Sequence, residues 1–277
     1  MRLSIVTVCF NAEKTIKKCI ESVYSLNISI FEYIIIDGKS SDNTLKIIQS
    51  FQSKFVEKRV NFVIISEEDT GIYNAMNKAI DIANGDWVIF LNADDYFYCE
   101  NSINCFLEND YQAYDVVYGD VAVRNLKTIT YQKTRNLQLL KSGTEMPFCH
   151  QSTFTKLDAL KKYRYNEKYS IIADIDLYLR IFEDGGRFYY LPECISVFSN
   201  DGLSQTHRIE SIREGKQLLK SHNCYTFNRK LVLNGYIIWY KIKDIIPKCI
   251  KCFIKLKWKS LRGCLSYGKK EESIRYY

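Results

Sequence analysis

Asp69 to Asp95 reads DTGIYNAMNKAIDIANGDWVIFLNADD, and this stretch decides the fold. Ile72, Ala75, Met76, Ala79 and Ile80 recur at helical spacing, which predicts an amphipathic helix with one apolar face. Asn84-Gly85 offers a stop, because glycine takes the left-handed cap conformation without a Cβ penalty. Trp87-Val88-Ile89-Phe90-Leu91 is then a short apolar run of strand type, ending abruptly in Asn92-Ala93-Asp94-Asp95. Two adjacent carboxylates at the C-terminal end of a buried strand mark the place where an α/β sheet presents a ligand site.

Upstream, the same alternation repeats. Leu3–Cys9 reads as a strand, followed by a helix carrying Ile16, Cys19, Ile20, Val23 and Tyr24 with Asn11 as its N-cap. Tyr33-Ile34-Ile35-Ile36 is a second strand, and it runs into Asp37-Gly38-Lys39-Ser40-Ser41-Asp42-Asn43-Thr44. A helix with Leu45, Ile48 and Phe51 follows, then a third strand at Asn61–Ile65. Nearly continuous apolar strands alternating with helices imply a parallel sheet covered on both faces. Downstream the character changes. Asp115–Gly119, Ile129–Lys133 and Cys149–Phe154 read as strands, the first two as antiparallel additions. Ile171–Glu183 reads as a helix ended by Gly185-Gly186, and Arg187–Leu191 as a strand. Asp201-Gly202-Leu203-Ser204 is a turn before a charged helix near His207–His222.

Composition excludes several classes. The chain has 277 residues, 47% hydrophobic and 26% charged with 3 Pro, enough for a substantial core and too apolar for extended disorder. Met1–Val8 lacks an h-region and a cleavage site, so no export signal is expected, and no apolar run is long enough to span a bilayer. Ten Cys without an export signal suggest reduced thiols in the cytoplasm; Cys249-Ile250-Lys251-Cys252 is a lone CxxC with no second pair to complete a metal site. The net charge of +7 is concentrated between Lys241 and Lys270, where Asp244 is the one acid. A nucleic-acid partner would have to rest on that tail alone, and none is expected. No G-x-G-x-x-G follows the first strand and no phosphate loop is present, which argues against a nicotinamide oxidoreductase and an ATPase.

Asp94 and Asp95 carry the first chemical argument. Two carboxylates about 4 Å apart repel by about 4 kcal/mol at an effective dielectric near 20. A divalent cation removes that cost, and hard oxygen donors favour Mg²⁺ or Mn²⁺. Neighbouring strand residues point to opposite sides, so one carboxylate can hold metal while the other meets a ribose or sugar hydroxyl. The same tetrapeptide would also serve as a solvated turn.

Four segments in order resemble the family 2 glycosyltransferases: Ser4–Asn11, Asp37–Thr44, Asp69–Lys78 and Leu91–Asp95. Cys149-His150-Gln151-Ser152, Ala173-Asp174-Ile175-Asp176-Leu177 and Gly202-Leu203-Ser204 extend the likeness more weakly, and the overall look is of bacterial enzymes that build capsule, exopolysaccharide or lipopolysaccharide. The resemblance implies a single Rossmann-like A-type glycosyltransferase domain of the α/β class with a mostly parallel central sheet. It would occupy residues 1–230, with a nucleotide-sugar half to about 120 and an acceptor half from 121, followed by a basic amphipathic helical extension over 231–277. It implies an inverting enzyme that moves a sugar from a nucleotide sugar, a UDP-sugar by resemblance, to a glycan acceptor carried on a polyprenyl-diphosphate lipid.

Carried over by position, Asp37 reads the base and Thr7 and Asn11 line its pocket. Asp69, Lys78, Asn92 and Asp94 approach the nucleotide sugar, and Asp94 with Asp95 holds the metal. The chain departs from the commonest pattern at Asn92, where many members carry Asp; asparagine keeps the hydrogen bonding and loses the charge. Asp174 is the expected base that removes the acceptor's proton, with Asp176 its rival, and Ala173 stands where many members have Glu. Two residues on a helix differ by about 200°, so one cleft takes only one of these acids. His150 and Gln151 line the donor and acceptor cleft, and Ser204 belongs to a loop over the diphosphate with His207 or Arg208 near enough to touch phosphate. The tail joins Tyr236-Ile237-Ile238-Trp239-Tyr240 to its lysines, a composition suited to an anionic membrane surface on the cytosolic face of the inner membrane. A C-terminal helix packed on the domain is the alternative for the tail, and a non-catalytic nucleotide- or membrane-binding scaffold is the alternative for the whole.

Overall fold

The computed structural model describes residues 2–27, 31–125, 128–199, 207–222, 224–242 and 272–274. The first half alternates as β1 (Leu3–Cys9), α1 (Ile16–Tyr24), β2 (Phe31–Asp37), α2 (Thr44–Gln49), α3 (Gln52–Glu57), β3 (Asn61–Ser66), α4 (Ile72–Ile82) and β4 (Trp87–Phe90). Next come β5 (Tyr96–Phe97), α5 (Asn104–Leu107), β6 (Val116–Arg124), β7 (Ile129–Gln132), β8 (Thr153–Lys156), α6 (Leu157–Tyr163), α7 (Ala173–Glu183) and β9 (Phe188–Ser199). Helices α8 (Arg208–Ser221) and α9 (Phe227–Ile242) follow, and the short strand β10 (Glu272–Ile274) pairs with β7.

One sheet runs in the order β10-β7-β6-β8-β4-β1-β2-β3, with β9 alongside β6 and β5 on β9. Its β4-β1-β2-β3 portion is parallel, as the sequence alternation requires, while β8 and β7 join antiparallel. The whole sheet is therefore mixed: β6 and β7 are antiparallel additions as expected, and β6 also pairs parallel with β9. Period-2 alternation explains why the strands are apolar throughout: Leu3, Ile5, Tyr33, Ile35, Trp87 and Ile89 face the layer of α1, α2, α3 and α5. Val6, Val8, Ile34, Ile36, Val88 and Phe90 face α4, α6 and α7. The helix predicted from the opening stretch forms, with Ala75, Met76, Ala79 and Ile80 buried.

Three local expectations are corrected. Gly85 is not a left-handed cap; positive φ among the described glycines occurs at Gly71, Gly143 and Gly185. Glu32 stops α4 instead. Its Oε1 accepts from Asn84 N at 2.5 Å, from Gly85 N at 3.1 Å and from the Ser4 hydroxyl, and its Oε2 accepts from Asn84 and Asn61 amides at 3.3 Å each. Glycine is required at 85 for close approach, since a Cβ there would lie 2.6 Å from Ser4 N. Asn11 does not cap α1, whose N-cap is Thr15; a turn on the Ala12 carbonyl intervenes. Finally, of Cys149–Phe154 only Thr153 and Phe154 are strand, because His150–Ser152 forms a 3₁₀ turn before β8.

At the C-terminal side, α9 starts at Phe227 and runs continuously through residue 231, where the sequence suggested a new unit. Leu233, Tyr236, Ile237 and Tyr240 pack on Ile212 and Leu219 of α8. The CxxC at 249–252 and the lysines beyond Ile242 lie outside the described residues.

Candidate active site

The C-terminal ends of β1 and β2 are laced into one rim. Asn11, held at φ 49°, accepts from Ser41 N at 2.9 Å while its own N–H donates to Ser40 Oγ at 2.8 Å. Ala12 N donates to Thr44 Oγ1 at 2.7 Å, and Asp42 accepts from Thr44 N at 2.9 Å. Beneath this rim Asp37 is fully buried. Its oxygens accept from Ser40 N at 3.1 Å, Ser66 Oγ at 2.7 Å, the Ser40 hydroxyl and the Cys9 thiol, which fills a carboxylate's acceptor capacity. In this arrangement Asp37 builds the loop over residues 38–41, and a base could reach it only if a serine hydroxyl let go. Thr7 is likewise interior: its hydroxyl meets Tyr33 OH at 3.0 Å and Cys19 Sγ at 3.6 Å under α1, so it does not line an open pocket.

What stands open at this rim is Phe10, 64% exposed. It borders Gly38, and Gly38 in turn lies against Asp69: a Cβ there would come within 2.5 Å of Asp69 Oδ2 and 3.4 Å of the Phe10 ring. Phe10, Gly38 and Asp69 thus frame a slot with an aromatic wall and a half-exposed carboxylate. Lys78 leans over the same edge, its ammonium 2.8 Å from Glu67 and donating to the Glu68 carbonyl at 2.6 Å. Sequence reasoning missed Phe10; an aromatic one residue beyond a buried strand, opposite the loop after β2, was the available signal.

The second half of the site lies beyond β4. Asp95 is 1% exposed; its Oδ1 accepts from Ser199 N at 2.8 Å, while Oδ2 is buried without a hydrogen-bond partner. Burial first, and then the Asp94 carboxylate, push the Asp95 carboxyl well above its usual range, against the pull of the Ser199 amide, Gln151 and Arg124. Asn92 Oδ1 is also buried and unpartnered, and Gln151 Nε2 acts on the Asp95 carboxylate without a hydrogen bond of normal geometry. Polar atoms left incompletely paired at one strand end are groups that a bound polar ligand would satisfy.

Asn92, His150 and Asp174 converge here from three distant segments. Asn92 Nδ2 lies 3.4 Å from His150 Nε2, and His150 Nδ1 lies 3.4 Å from Asp174 Oδ2. With the imidazole proton on Nδ1, His150 Nε2 accepts from Asn92, and Nδ1 faces the Asp174 carboxylate at ion-pair distance. Asp174 Oδ1 accepts from Ile175 N at 2.9 Å and lies 3.3 Å from Tyr73 OH. Asp176, the rival acid, faces away. It is buried in an ion pair with Arg180 at 2.8 Å and sits 3.7 Å from His222 Nε2. The helical offset between the two acids puts only Asp174 on the cleft.

A divalent cation is implied at Asp94 and Asp95. Asp94 is half-buried, and Asp95 contributes a carboxylate oxygen with no hydrogen bond. Among the described residues no group of three or more His, Cys, Asp and Glu side chains converges to hold a metal. Two carboxylates are hard oxygen donors of the kind Mg²⁺ or Mn²⁺ takes, and phosphate oxygens and water would have to supply the remaining positions. His207 is the exposed residue preceding α8, and Ser204 lies outside the described residues.

Residues 4–177 match the family model described as glycosyl transferase family 2. A PGL/p-HBAD biosynthesis glycosyltransferase of Mycobacterium tuberculosis (strain ATCC 25177 / H37Ra) is 29% identical over 209 residues, covering 73% of this chain and 79% of that protein. The putative glycosyltransferase EpsE of Bacillus subtilis (strain 168) is 27% identical over 263 residues, covering 90% and 91%. Among solved structures, S. aureus TarS 1–349 in complex with UDP-GlcNAc superposes with a TM-score of 0.58 at 16% identity. The match covers 79% of this chain and 66% of that one, so the chain spans just under two thirds of its length. The mannosyltransferase PcManGT from Pyrobaculum calidifontis, in complex with GDP-Man and Mn²⁺, gives 0.60 at 14% identity, covering 85% and 68%. At these identities the likeness is one of fold, and it is the A-type glycosyltransferase fold.

Proposed function

This chain belongs to glycosyl transferase family 2, and from that membership we propose that it moves a sugar from a UDP-sugar to a hydroxyl of a growing, lipid-linked cell-surface glycan with inversion. The observation that carries the reading is the meeting of Asn92, His150 and Asp174 beside the unmet oxygens of Asn92 and Asp95. UDP-GlcNAc is the ligand of the TarS complex, and EpsE and the mycobacterial relative are named as glycosyltransferases, the latter of PGL/p-HBAD biosynthesis.

In this reading the base stacks on Phe10 and its edge meets Asp69 over the loop that Asp37 folds. The diphosphate lies towards Asp94 and Asp95, with Gln151 Nε2 donating to it or to the sugar. Bound Mn²⁺ or Mg²⁺ would be held by Asp94 and Asp95 and would supply Lewis-acid neutralisation of the departing diphosphate. Asp174 takes the proton of the acceptor hydroxyl as that oxygen forms its bond to the anomeric carbon. The bond from that carbon to the diphosphate oxygen breaks on the opposite face, and UDP leaves with the electron pair. His150 Nδ1 faces Asp174 Oδ2 on the cleft side, while Ile175 N and Tyr73 OH hydrogen-bond its Oδ1.

No helix among the described residues is long and apolar enough to cross a membrane. Phe227, Leu231, Ile238 and Ile242 nevertheless stand exposed along one stripe of α9, opposite the face packed on α8. With the lysines of 241–270, that stripe suits an anionic membrane surface, where a lipid-linked acceptor would reside. It supports a peripheral site on the cytosolic face of the membrane. The full chain should sediment with phosphatidylglycerol vesicles and not with phosphatidylcholine vesicles, and Phe227→Ser with Ile238→Ser should release it.

A panel of UDP- and GDP-sugars, each with and without Mn²⁺, tests the central reading through nucleotide release and the anomeric configuration of the product. Release from a UDP-sugar with an inverted product is expected. Binding of a nucleotide sugar without release under any condition would favour the non-catalytic scaffold.

A further inference from the structure

Helix α7 begins without a cap of its own. Ile172, its N-cap residue, makes no side-chain hydrogen bond, yet the amides before the helix are paired. Glu214 reaches in from α8: its Oε1 accepts from Ser170 N at 2.8 Å, and its Oε2 accepts from Ile171 N at 3.0 Å and Ile172 N at 3.2 Å. A helix N-terminus carries orphan N–H groups and the positive end of the dipole, so it attracts the nearest carboxylate. Two compete for it. Asp174 stands in the first turn and already gives one oxygen to Ile175 N, while its other oxygen faces His150.

We propose that Glu214 is a positioning residue: by occupying the Ser170, Ile171 and Ile172 amides that lead into α7 it leaves the Asp174 carboxylate turned to the cleft instead of drawn back onto them. The role rests on the reading of Asp174 as the base. Glu214 is well placed to hold this post, because its neighbour Gly215 lies so close to the segment at residues 143–144 that a Cβ would meet Gly143 O at 2.5 Å. Ile171 links the parts. Its N–H goes to Glu214 and its carbonyl accepts from Tyr73 OH at 2.8 Å, the hydroxyl that also borders Asp174. The titratable groups around Asp174 are His150 and Cys149 from the segment before β8, Tyr73 from α4, Tyr165 from the loop after α6, Tyr178 from α7, and Glu214 itself.

The experiment titrates Asp174 in the full-length protein labelled with ¹³C-carboxyl aspartate, the resonance being assigned by its loss in Asp174→Asn. In Glu214→Ala, Asp174 should take over the amides and titrate lower by about half a pH unit, the worth of a helix-terminal contact. In Glu214→Gln, whose amide oxygen still accepts, it should titrate as in the parent. UDP release from UDP-N-acetylglucosamine with Mn²⁺ should fall about 10–100-fold in Glu214→Ala, with the donor KM within about twofold of the parent and recovery in Glu214→Gln. An unchanged titration in Glu214→Ala overturns the proposal. An equal fall in Ala and Gln does so too, since loss of a neighbouring charge would then be the whole effect. If Glu214→Ala does not fold, Glu214→Asp takes its place: it keeps the charge but is too short to reach, so the lower titration is still expected. Full UDP release by Asp174→Asn would instead remove Asp174 as the base, while the titrations continue to decide whether Glu214 controls its carboxylate.

Discussion

The two ends of the parallel sheet treat a buried carboxylate in opposite ways. At the end where the strands begin, Glu32 is met by Ser4, Asn61, Asn84 and Gly85 and has every oxygen engaged. Those hydrogen bonds hold its carboxyl below the usual range although burial works against them. At the end where the strands finish, Asp95 has one oxygen on Ser199 N and the other without a hydrogen bond of normal geometry, and burial drives its carboxyl up. The first end closes the fold: Glu32 ties β1, β2, β3 and the end of α4 together. The second leaves polar groups unmet where a ligand would meet them. On the proposed function, stability and chemistry fall at opposite poles of the same sheet, and substitutions should divide accordingly.

The largest effect should come from Asp174→Asn at the open pole. Loss of a general base lowers turnover by about 10²–10⁴-fold. Since Asp174 is not needed for packing, the thermal midpoint and nucleotide affinity should stay near the parent values, which differential scanning calorimetry and UDP titration would check. A matching loss of stability would erase the division between the poles. Glu32→Ala at the closed pole should do the reverse. It strands the buried Ser4 hydroxyl and frees the Asn84 amide, while Gly85 N keeps its bond to Ser4 Oγ, and a buried donor left unmet costs about 1–3 kcal/mol. The midpoint should fall by roughly 10 °C, at about 2–4 °C per kcal/mol in a domain of this size, while UDP release per folded molecule stays constant.

Gly38→Ala probes the rim more gently. The added methyl must displace Asp69, because the free space to its carboxylate is only 2.5 Å. Donor affinity should weaken about tenfold, or about 1.4 kcal/mol, with turnover at saturation little changed. An unaltered KM would show that the slot between Phe10 and Asp69 does not hold the base.

How far the sequence showed this division depends on the range of the contacts involved. Leu3–Cys9 and the apolar face of the helix before β4 were legible because periodicity is local. The acids after β4 were legible because a strand end followed by Asn-Ala-Asp-Asp is itself the signal. Glu32 was not, since an acid in an apolar strand makes no sense until Asn84 and Gly85 arrive from about fifty residues away. Asp37 was singled out for a base, but its engagement by Ser40 and Ser66 needed the loop in three dimensions. Glu214 and Tyr73 belong to the same class: each acts on a segment far along the chain, and neither sits in a pattern that periodicity or spacing exposes.

The smallest effect is the most diagnostic, because it compares the two carboxylates by sign. Glu32 has a folded-state pKa below its ordinary 4.5, so its stabilisation is present above that value and is lost as pH falls through the folded one. Asp95 has a folded-state pKa well above its ordinary 3.8, so ionisation is a penalty that is absent below 3.8 and grows as pH rises towards the folded value. Measured with EDTA, Asp95→Asn should therefore raise the midpoint at pH 7 by about 3 °C, the scale of roughly 1 kcal/mol in a domain of this size. Glu32→Gln should lower it at the same pH. The Asp95→Asn difference should shrink towards zero below the ordinary carboxyl value of 3.8, and the Glu32→Gln difference only once the pH falls below the depressed folded value of Glu32. Millimolar Mn²⁺ should stabilise the parent more than Asp95→Asn, since the cation relieves the same unmet oxygen that the substitution removes. If Asp95→Asn is destabilising at pH 7, then Asp95 is a structural group like Glu32, and the two poles are built alike.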